Sequence, residues 1–395
     1  MRVMIIGGGI GGLATALSLH DVGISCTVFE QVRELRELGV GINTLPHAIK
    51  ELAALGLLPA LDRAGIRTRE LIYANRFGQV VWRELRGTDA GFDAPQFSIH
   101  RGKLHGVLLA AVQERLGADA VRTGCRLVSF TERGDALVAR FEQRDGGDAF
   151  EAEGDALIGA DGIHSVVRQT LFGSDKAEFT GFMAWRGLCP KDKLPPALMR
   201  HGGWIAPNSH IMHYPVRKGA MLNVIAVVER DDWQKESWYD RGTHQEWIAD
   251  FTGWHDDARA MISATAEPFK WALMVHWPAE RWSVGHVTLL GDACHSTLPF
   301  LAQGGSMSIE DGYVLARCLA EFDDVETALK RYEAARVERT KHIVLASVDQ
   351  KDRLHGEALK NLDTAKQHVD EKWTSERMAA LYDGIYGYDA VSVAI

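Results

Sequence analysis

Six consecutive residues, Gly7-Gly8-Gly9-Ile10-Gly11-Gly12, constrain the fold of this chain more than any other segment. The short apolar run Val3 to Ile6 before them reads as a buried strand, and the stretch from roughly Gly11 to Val22 after them reads as a helix. A second strand, Ser25 to Phe29, ends on Glu30. Gly7, Gly9 and Gly12 satisfy GxGxxG, the spacing that lets a chain leave a strand in a tight turn, admit a pyrophosphate to its backbone and pack the next helix on the sheet. With Ile10 they form a turn whose free N–H groups favour negative charge. A carboxylate at Glu30 can accept both hydroxyls of a ribose and repels a 2′-phosphate. The expected class is therefore α/β, opening with a Rossmann-type domain for the adenosine half of FAD or NAD.

Composition narrows what such a domain can serve. Acidic residues outnumber basic ones, 53 to 44, giving a formal net charge of −9. No Lys/Arg cluster suited to phosphates occurs, which argues against nucleic acid as a partner. No apolar run reaches the roughly 18 residues that span a bilayer, and Met1 to Ile6 runs into the glycines without a cleavage pattern. The expectation is a cytoplasmic protein with no membrane segment. Cys26, Cys125, Cys189, Cys294 and Cys318 are never closer than 24 positions, which excludes a CxxC redox pair or zinc knuckle.

At 395 residues the chain exceeds one ordinary domain, yet no repeat or linker divides it, so a second domain should be woven into the first. Leu104, Val107, Leu108, Ala111, Val112 and Leu116 recur at helical spacing behind a loop at Ser98-Ile99-His100-Arg101. From Phe179 to about Trp277, strand-like stretches such as His210 to Tyr214 and Leu222 to Val228 alternate with Trp-rich segments. A strand at Val287 to Leu290 precedes helical patterns at Met307 to Leu319, at Glu326 to Ala346 and in the tail beyond it.

Two later segments have no role in a plain NAD dehydrogenase. They are Gly159-Ala160-Asp161-Gly162-Ile163-His164-Ser165-Val166-Val167-Arg168, and Gly291-Asp292-Ala293-Cys294-His295 running on to Pro299 and Gln303-Gly304-Gly305. With these in order behind GxGxxG, and Arg101 in IHRGKLHGVLL, essentially the whole chain resembles the single-component FAD-dependent aromatic hydroxylases. The resemblance implies a Rossmann-type FAD-binding domain with an interleaved β-sheet substrate domain and C-terminal helices. The implied division is 1–178, with substrate-domain strands inserted near 70–100, then 179–278, then 279–395. It further implies that Asp292 holds the ribityl hydroxyls of FAD and that Pro299 and Gly304-Gly305 lie along the isoalloxazine. Asp161 would serve both FAD and a transient NADH or NADPH, and Arg101 would lie near the pyrophosphate. A helix from about Met307 would aim its N-terminus at the flavin N1/C2-carbonyl edge, where reduction places negative charge. Taken alone, Asp161-Gly162 is as readily an ordinary turn, and Arg101 a solvated side chain.

Within that family the nearest likeness is to the salicylate hydroxylase, 3-hydroxybenzoate 6-hydroxylase and 6-hydroxynicotinate 3-monooxygenase group. It is carried by Gly39-Val40-Gly41-Ile42-Asn43, Ala184-Trp185-Arg186-Gly187, His210-Ile211-Met212-His213-Tyr214-Pro215, Glu236-Ser237-Trp238 and Tyr386-Gly387-Tyr388-Asp389. On a strand, His210, Met212 and Tyr214 share one face and Ile211 and His213 the other. The resemblance makes His210 and Tyr214 the catalytic candidates and Asn43, Arg186 and Met212 substrate contacts. A phenol must ionise to attack an electrophilic oxygen, so a histidine titrating near neutrality, or a tyrosine relaying its proton, would activate the ring. One His and one Tyr on a strand are, however, more often structural. Asn43 stands where 6-hydroxynicotinate enzymes typically carry His, which weakens that substrate. Phe300-Leu301 could wall an apolar pocket, and His295 is read as structural or flavin-side. His210 and His213 face apart with no carboxylate cluster, so no metal site is expected.

The implied reaction is reduction of FAD by NAD(P)H, formation of a C4a-hydroperoxide with dioxygen, and transfer of its distal oxygen to a small phenolic acid such as salicylate. Dimers are common in the family, and nothing in this sequence marks an interface. Two other readings stand beside it. One is a monooxygenase of a larger phenazine or polyketide substrate, since GINTLPHAIKELAALGL also resembles phenazine-modifying relatives. The other is a flavin-binding protein without turnover.

Overall fold

The structure is a computed structural model that describes residues 1–35, 40–133, 136–144, 146–173, 177–232 and 240–395. Gly39 and the Glu236-Ser237-Trp238 segment fall outside the described residues.

Val3 to Ile6 are buried without alternation, the pattern of an interior parallel strand covered on both faces. Arg2–Ile6 accordingly pairs in parallel with Ser25–Phe29 on one side and Ala156–Gly159 on the other. Val287–Leu289 and Val121–Arg122 extend this sheet in parallel, and Ser283–Val284 closes one edge to give six strands. Helix Ile10–Asp21 leaves the glycine turn and packs along helix Gly304–Glu321, where Gly312 comes so close that a Cβ on it would lie 2.6 Å from Thr15 Oγ1.

A second, seven-stranded sheet runs Phe269–Val275, Glu178–Pro190, Met221–Glu229, Ser209–Val216, Gly202–Ala206, Glu70–Asn75 and Val80–Leu85 in spatial order. Beneath it lies a separate core, where Trp185 and Trp247 stack with ring centroids 5.5 Å apart. The segment 70–85 thus leaves the first domain's sequence to pair in the second sheet. We propose 1–178, 179–278 and 279–395 as the division that follows sheet membership, with 70–85 crossing it.

Three local expectations shift. Ser98 to His100 is no loop: Gln96–His100 is the central strand of a small antiparallel sheet with Gly41–Thr44 and Ile66–Thr68. Its polar side chains are buried because they bond across the strands, Ser98 Oγ to Asn43 Oδ1 and Thr68 Oγ1 at 2.8 Å each. Helix Arg101–Leu116 follows it directly. The helix expected from Met307 starts at Gly304, its two glycines forming the first turn. The helix expected over Glu326 to Ala346, with helical sequence in the tail beyond, runs as one element over Val325–His355, because no glycine or proline interrupts it before Gly356. Helices Leu362–Lys372 and Ser375–Tyr386 follow. No helix among the described residues is long and apolar enough to cross a membrane.

Candidate functional site

A cavity of about 460 Å³ is lined by segments that follow the strands of the six-stranded sheet, by the seven-stranded sheet and by the C-terminal helices. Its first wall consists of helix ends. A helix starts with four N–H groups lacking an intrahelical acceptor. Helices Ile10–Asp21, Pro46–Ala54, Arg101–Leu116 and Gly304–Glu321 all start without a side-chain cap. Three of them place their starts in the cavity lining, at Gly9 and Ile10, Arg101, and Gln303 to Gly305, while Pro46–Ala54 reaches it only through the preceding Leu45 and begins on a proline without an N–H. No protein atom lies within 4 Å of where a Cβ on Gly9 would stand, whereas one on Gly12 would lie 2.0 Å from Gly7 O. Gly12 therefore serves the packing of strand, turn and helix, and Gly9 leaves space on the cavity side.

Asp292 also lines the cavity. Gly291, at φ +65 and ψ −139, makes the turn into it, a conformation that needs glycine. Burial pushes the Asp292 carboxyl above the usual carboxylate range, and the charges of His295 and Arg101 oppose that shift. Pro299 completes this wall. Open N–H donors, a buried carboxylate and a glycine-lined space suit the pyrophosphate, ribityl and ring portions of FAD.

The second wall is the strand Ser209–Val216. His210, Met212 and Tyr214 line the cavity, while Ile211 packs in the core behind the sheet. His213 is buried, and burial followed by the charge of Arg200 pushes it down to about 3. His210 Nδ1 lies 2.6 Å from His355 Nε2, and His355 Nδ1 lies 3.0 Å from Glu229 Oε1. Glu229 Oε2 meets Lys351 Nζ at 2.9 Å, with side-chain exposures of 22% and 48%. The row therefore runs from the cavity to solvent.

These contacts fix the tautomers. The Glu229 carboxylate accepts, so His355 Nδ1 carries hydrogen. Neutral His355 then accepts at Nε2, so His210 donates from Nδ1 and keeps its Nε2 lone pair for the cavity. Burial, then the neighbouring His355, holds His210 well below the usual histidine range. This corrects the expectation of a histidine titrating near neutrality: His210 can pass a proton but does not retain one. Burial raises the Tyr214 phenol above its ordinary value, so Tyr214 keeps its proton and can donate a hydrogen bond. Asn43 lines the cavity, and its Oδ1 accepts from Ser98 Oγ at 2.8 Å. The Arg186 guanidinium lies 4.8 Å from the Trp271 ring centroid, and both residues line the cavity.

A family model described as FAD binding domain matches residues 1–347. The chain belongs to this FAD-binding family. It is 37% identical over 395 residues to phenazine 1,6-dicarboxylic acid hydroxylase of Lysobacter antibioticus, covering 96% of this chain and 94% of the relative. It is 35% identical over 396 residues to 3-hydroxybenzoate 6-hydroxylase of Polaromonas naphthalenivorans, covering 98% and 96%. A salicylate hydroxylase solved with its substrate superimposes with a TM-score of 0.79 at 25% identity, covering 100% and 99%. As a member of the family the protein is a FAD-dependent monooxygenase of the aromatic hydroxylase type.

Not every sequence candidate reaches the cavity of this family member. Glu30 and Asp161 are not among its lining residues. Glu30 accepts from Gly8 N at 2.7 Å and Val32 N at 2.8 Å, bracing the glycine turn. Asp161 accepts from Ser165 Oγ and from the N–H groups of Val166 and Val167 at the start of helix Val166–Phe172. His295 is fully buried with Nε2 2.6 Å from Asp311, inside the ionic network of Arg336, Glu310 and Asp311, and is structural. Sequence reasoning missed His355 and Glu229. It also missed His105, whose Nε2 lies 2.7 Å from Gly8 O. His105 alone had a signal, being on the helix next to Arg101.

Proposed function

We propose that the protein hydroxylates a phenolic aromatic acid, using dioxygen and FAD reduced by NADH or NADPH. The carrying observation is one cavity with two unlike walls: open helix ends with Asp292 on one side, and on the other a histidine whose free nitrogen faces the cavity and whose other nitrogen leads to solvent. Bound flavin, once reduced, supplies the activation of dioxygen.

This chain's own residues supply the rest. Arg101, Asp292 and the Gly304–Glu321 helix end hold the cofactor. His210 Nε2 takes the phenolic proton as its Nδ1 proton moves to His355 Nε2 and the His355 Nδ1 proton moves to Glu229, which releases it to solvent. One proton enters the row and one leaves. Tyr214 donates to the phenolate oxygen, and Met212, Phe300 and Leu301 exclude water. Asp161 and Glu30 act on the cofactor through the turns they brace.

Single-ring acids such as salicylate or 3-hydroxybenzoate are the first substrates to test. A fused-ring acid is the second reading, favoured by the 37% identity to a phenazine dicarboxylic acid hydroxylase. The test is the visible spectrum of the purified protein, then NADH and NADPH oxidation with and without each acid, with product analysis. Flavin absorbance with acid-stimulated turnover and a hydroxylated product is expected. Colourless protein that cannot take up FAD would sink the proposal, and a yellow protein indifferent to every acid would leave only flavin binding.

A further inference from the structure

The cavity has a third region, roofed by the C-terminal helices, that the reading above leaves unused. Phe300 connects it to the catalytic wall: its ring lies 5.2 Å from that of His210, and it packs with Met212 and Tyr382 in one apolar cluster. Arg86, bonded to Tyr382, and Arg353, over Trp373, line the same cavity.

Arg86 is almost fully provided for. Its Nη1 donates to Tyr386 Oη at 2.9 Å, and its Nη2 to Tyr382 Oη at 2.8 Å and to the Glu84 carboxylate. Side-chain exposures of 6% for Arg86 and 8% for Glu84 place this pair out of bulk water. Arg353 is not so provided for. Its Nη1 points at the Met378 sulfur at 3.2 Å, its guanidinium lies 4.6 Å from the Trp373 ring centroid, and it also bonds Tyr382. Nε–H of both arginines is buried without an acceptor. Burial pushes the Tyr73, Tyr382 and Tyr386 phenols upward, so they stay neutral and cannot offset charge. Two guanidinium groups thus share the charge of the Glu84 carboxylate. A buried cation without a partner is costly, and a carboxylate is the acceptor that fits a guanidinium fork.

We propose that Arg353, supported by the Arg86–Glu84–Tyr382 cluster, is the carboxylate anchor of the substrate pocket. The acid group then lies on the far side of Phe300 and Met212 from the ring position whose oxygen His210 deprotonates. This rests on the hydroxylase reading and sharpens it: the favoured substrate is an aromatic acid whose carboxylate is set apart from its phenol, which ranks 3- and 4-hydroxybenzoate above salicylate. Arg186, above Trp271, is the competing anchor.

The test uses FAD-loaded enzyme and reads ligand binding from the perturbed flavin spectrum, independent of turnover. The probes are 3-hydroxybenzoate, 4-hydroxybenzoate and phenazine-1-carboxylate, each beside its neutral carboxamide. Wild type should prefer the acids by about tenfold or more, as a charge-assisted pair implies. Arg353→Met should abolish that preference by weakening acid binding while leaving the amides unchanged, and Arg186→Met should retain it. Should Arg353→Met melt early, Arg353→Lys keeps the charge and should keep most of the preference. Equal binding of acids and amides by wild type, or loss of preference in Arg186→Met instead, overturns the anchor while the hydroxylase reading stands. A flavin indifferent to every acid and amide overturns both.

Discussion

Among the helices of nine or more residues that the described residues form, four start under a side-chain cap of their own and four do not. His255, Asp324, Asn361 and Thr374 accept from the first turns of Asp256–Ala264, Val325–His355, Leu362–Lys372 and Ser375–Tyr386. Of the four helices without such a cap, three begin on the cavity and Pro46–Ala54 reaches it only through the preceding Leu45. Uncapped donors lower the stability of a helix unless water or a ligand satisfies them. The difference marks where the chain has left hydrogen-bonding capacity for something other than itself. The strand Ser209–Val216 repeats the lesson across its two faces, with His210 turned to the cavity and His213 into the protein.

The strand faces give the largest expected effect. Removing a positioned proton acceptor typically costs about 10²- to 10⁴-fold in rate. His210→Gln should lower kcat for hydroxylation by that order while the protein still binds FAD and melts near the wild-type temperature. His213→Gln should do the reverse, shifting Tm with little change in kcat. Equal losses of rate in both variants would erase the distinction between the faces.

The glycine turn offers the next contrast. Gly9 has φ −74, which alanine adopts without strain, and its added methyl would meet no protein atom within 4 Å. Gly9→Ala should keep the melting temperature of the apoprotein and weaken FAD binding by about 100-fold, the cost of a displaced set of pyrophosphate hydrogen bonds. Gly12→Ala should fail to fold, because its methyl would overlap Gly7 O at 2.0 Å. A Gly9→Ala protein that retains FAD as wild type does would show that this helix end is not the phosphate site.

The two walls also differ in how far they could be read without the fold. The glycine turn, Asp292 and the Gly304-Gly305 start depend on spacing within a few residues, because backbone approach and helix starts are local events, and they were visible in sequence. His210, Met212 and Tyr214 followed from strand alternation. The remainder depends on tertiary contact. His355 lies 145 residues from His210, and Tyr382 lies 296 from Arg86, and neither carries any local pattern. Ser98 to His100 reads as a loop in sequence and forms part of a strand in the fold, because its polar residues signal a strand only once their cross-strand partners are known. The titration of His210 was likewise misjudged, since burial cannot be read from residue type.

Buried histidines give a pH dependence with a definite sign. Burial lowers His213 from 6.5 to about 3 and holds His201 well below 6.5, with Arg86 adding to the effect. The folded values lie below the unfolded ones. Their contribution is therefore complete above pH 6.5 and is lost as pH falls from there through the folded values, because the unfolded chain takes up the protons. Each should remove about 1.4 kcal/mol of stability per pH unit across that window. Urea melts of wild type and His213→Gln from neutrality downward measure this. A variant whose stability falls as steeply as wild type's would place the acid sensitivity elsewhere.

The smallest effect lies at a capped end. Asn361 Oδ1 accepts from Thr364 N at 3.1 Å and Thr364 Oγ1 at 2.8 Å at the start of Leu362–Lys372. Asn361→Ala removes the cap and should cost about 1 kcal/mol, the usual worth of such a residue. FAD affinity, kcat and KM should not change, because this end satisfies itself and faces away from the cavity. The size of the effect matters less than its separation from Gly9→Ala. If donors at Leu362–Lys372 matter only to stability and donors at Ile10–Asp21 only to the ligand, the absence of a cap is informative. A change in flavin affinity in Asn361→Ala would mean that the C-terminal helices transmit their stability to the cofactor wall, and capping would then no longer separate the two kinds of helix end.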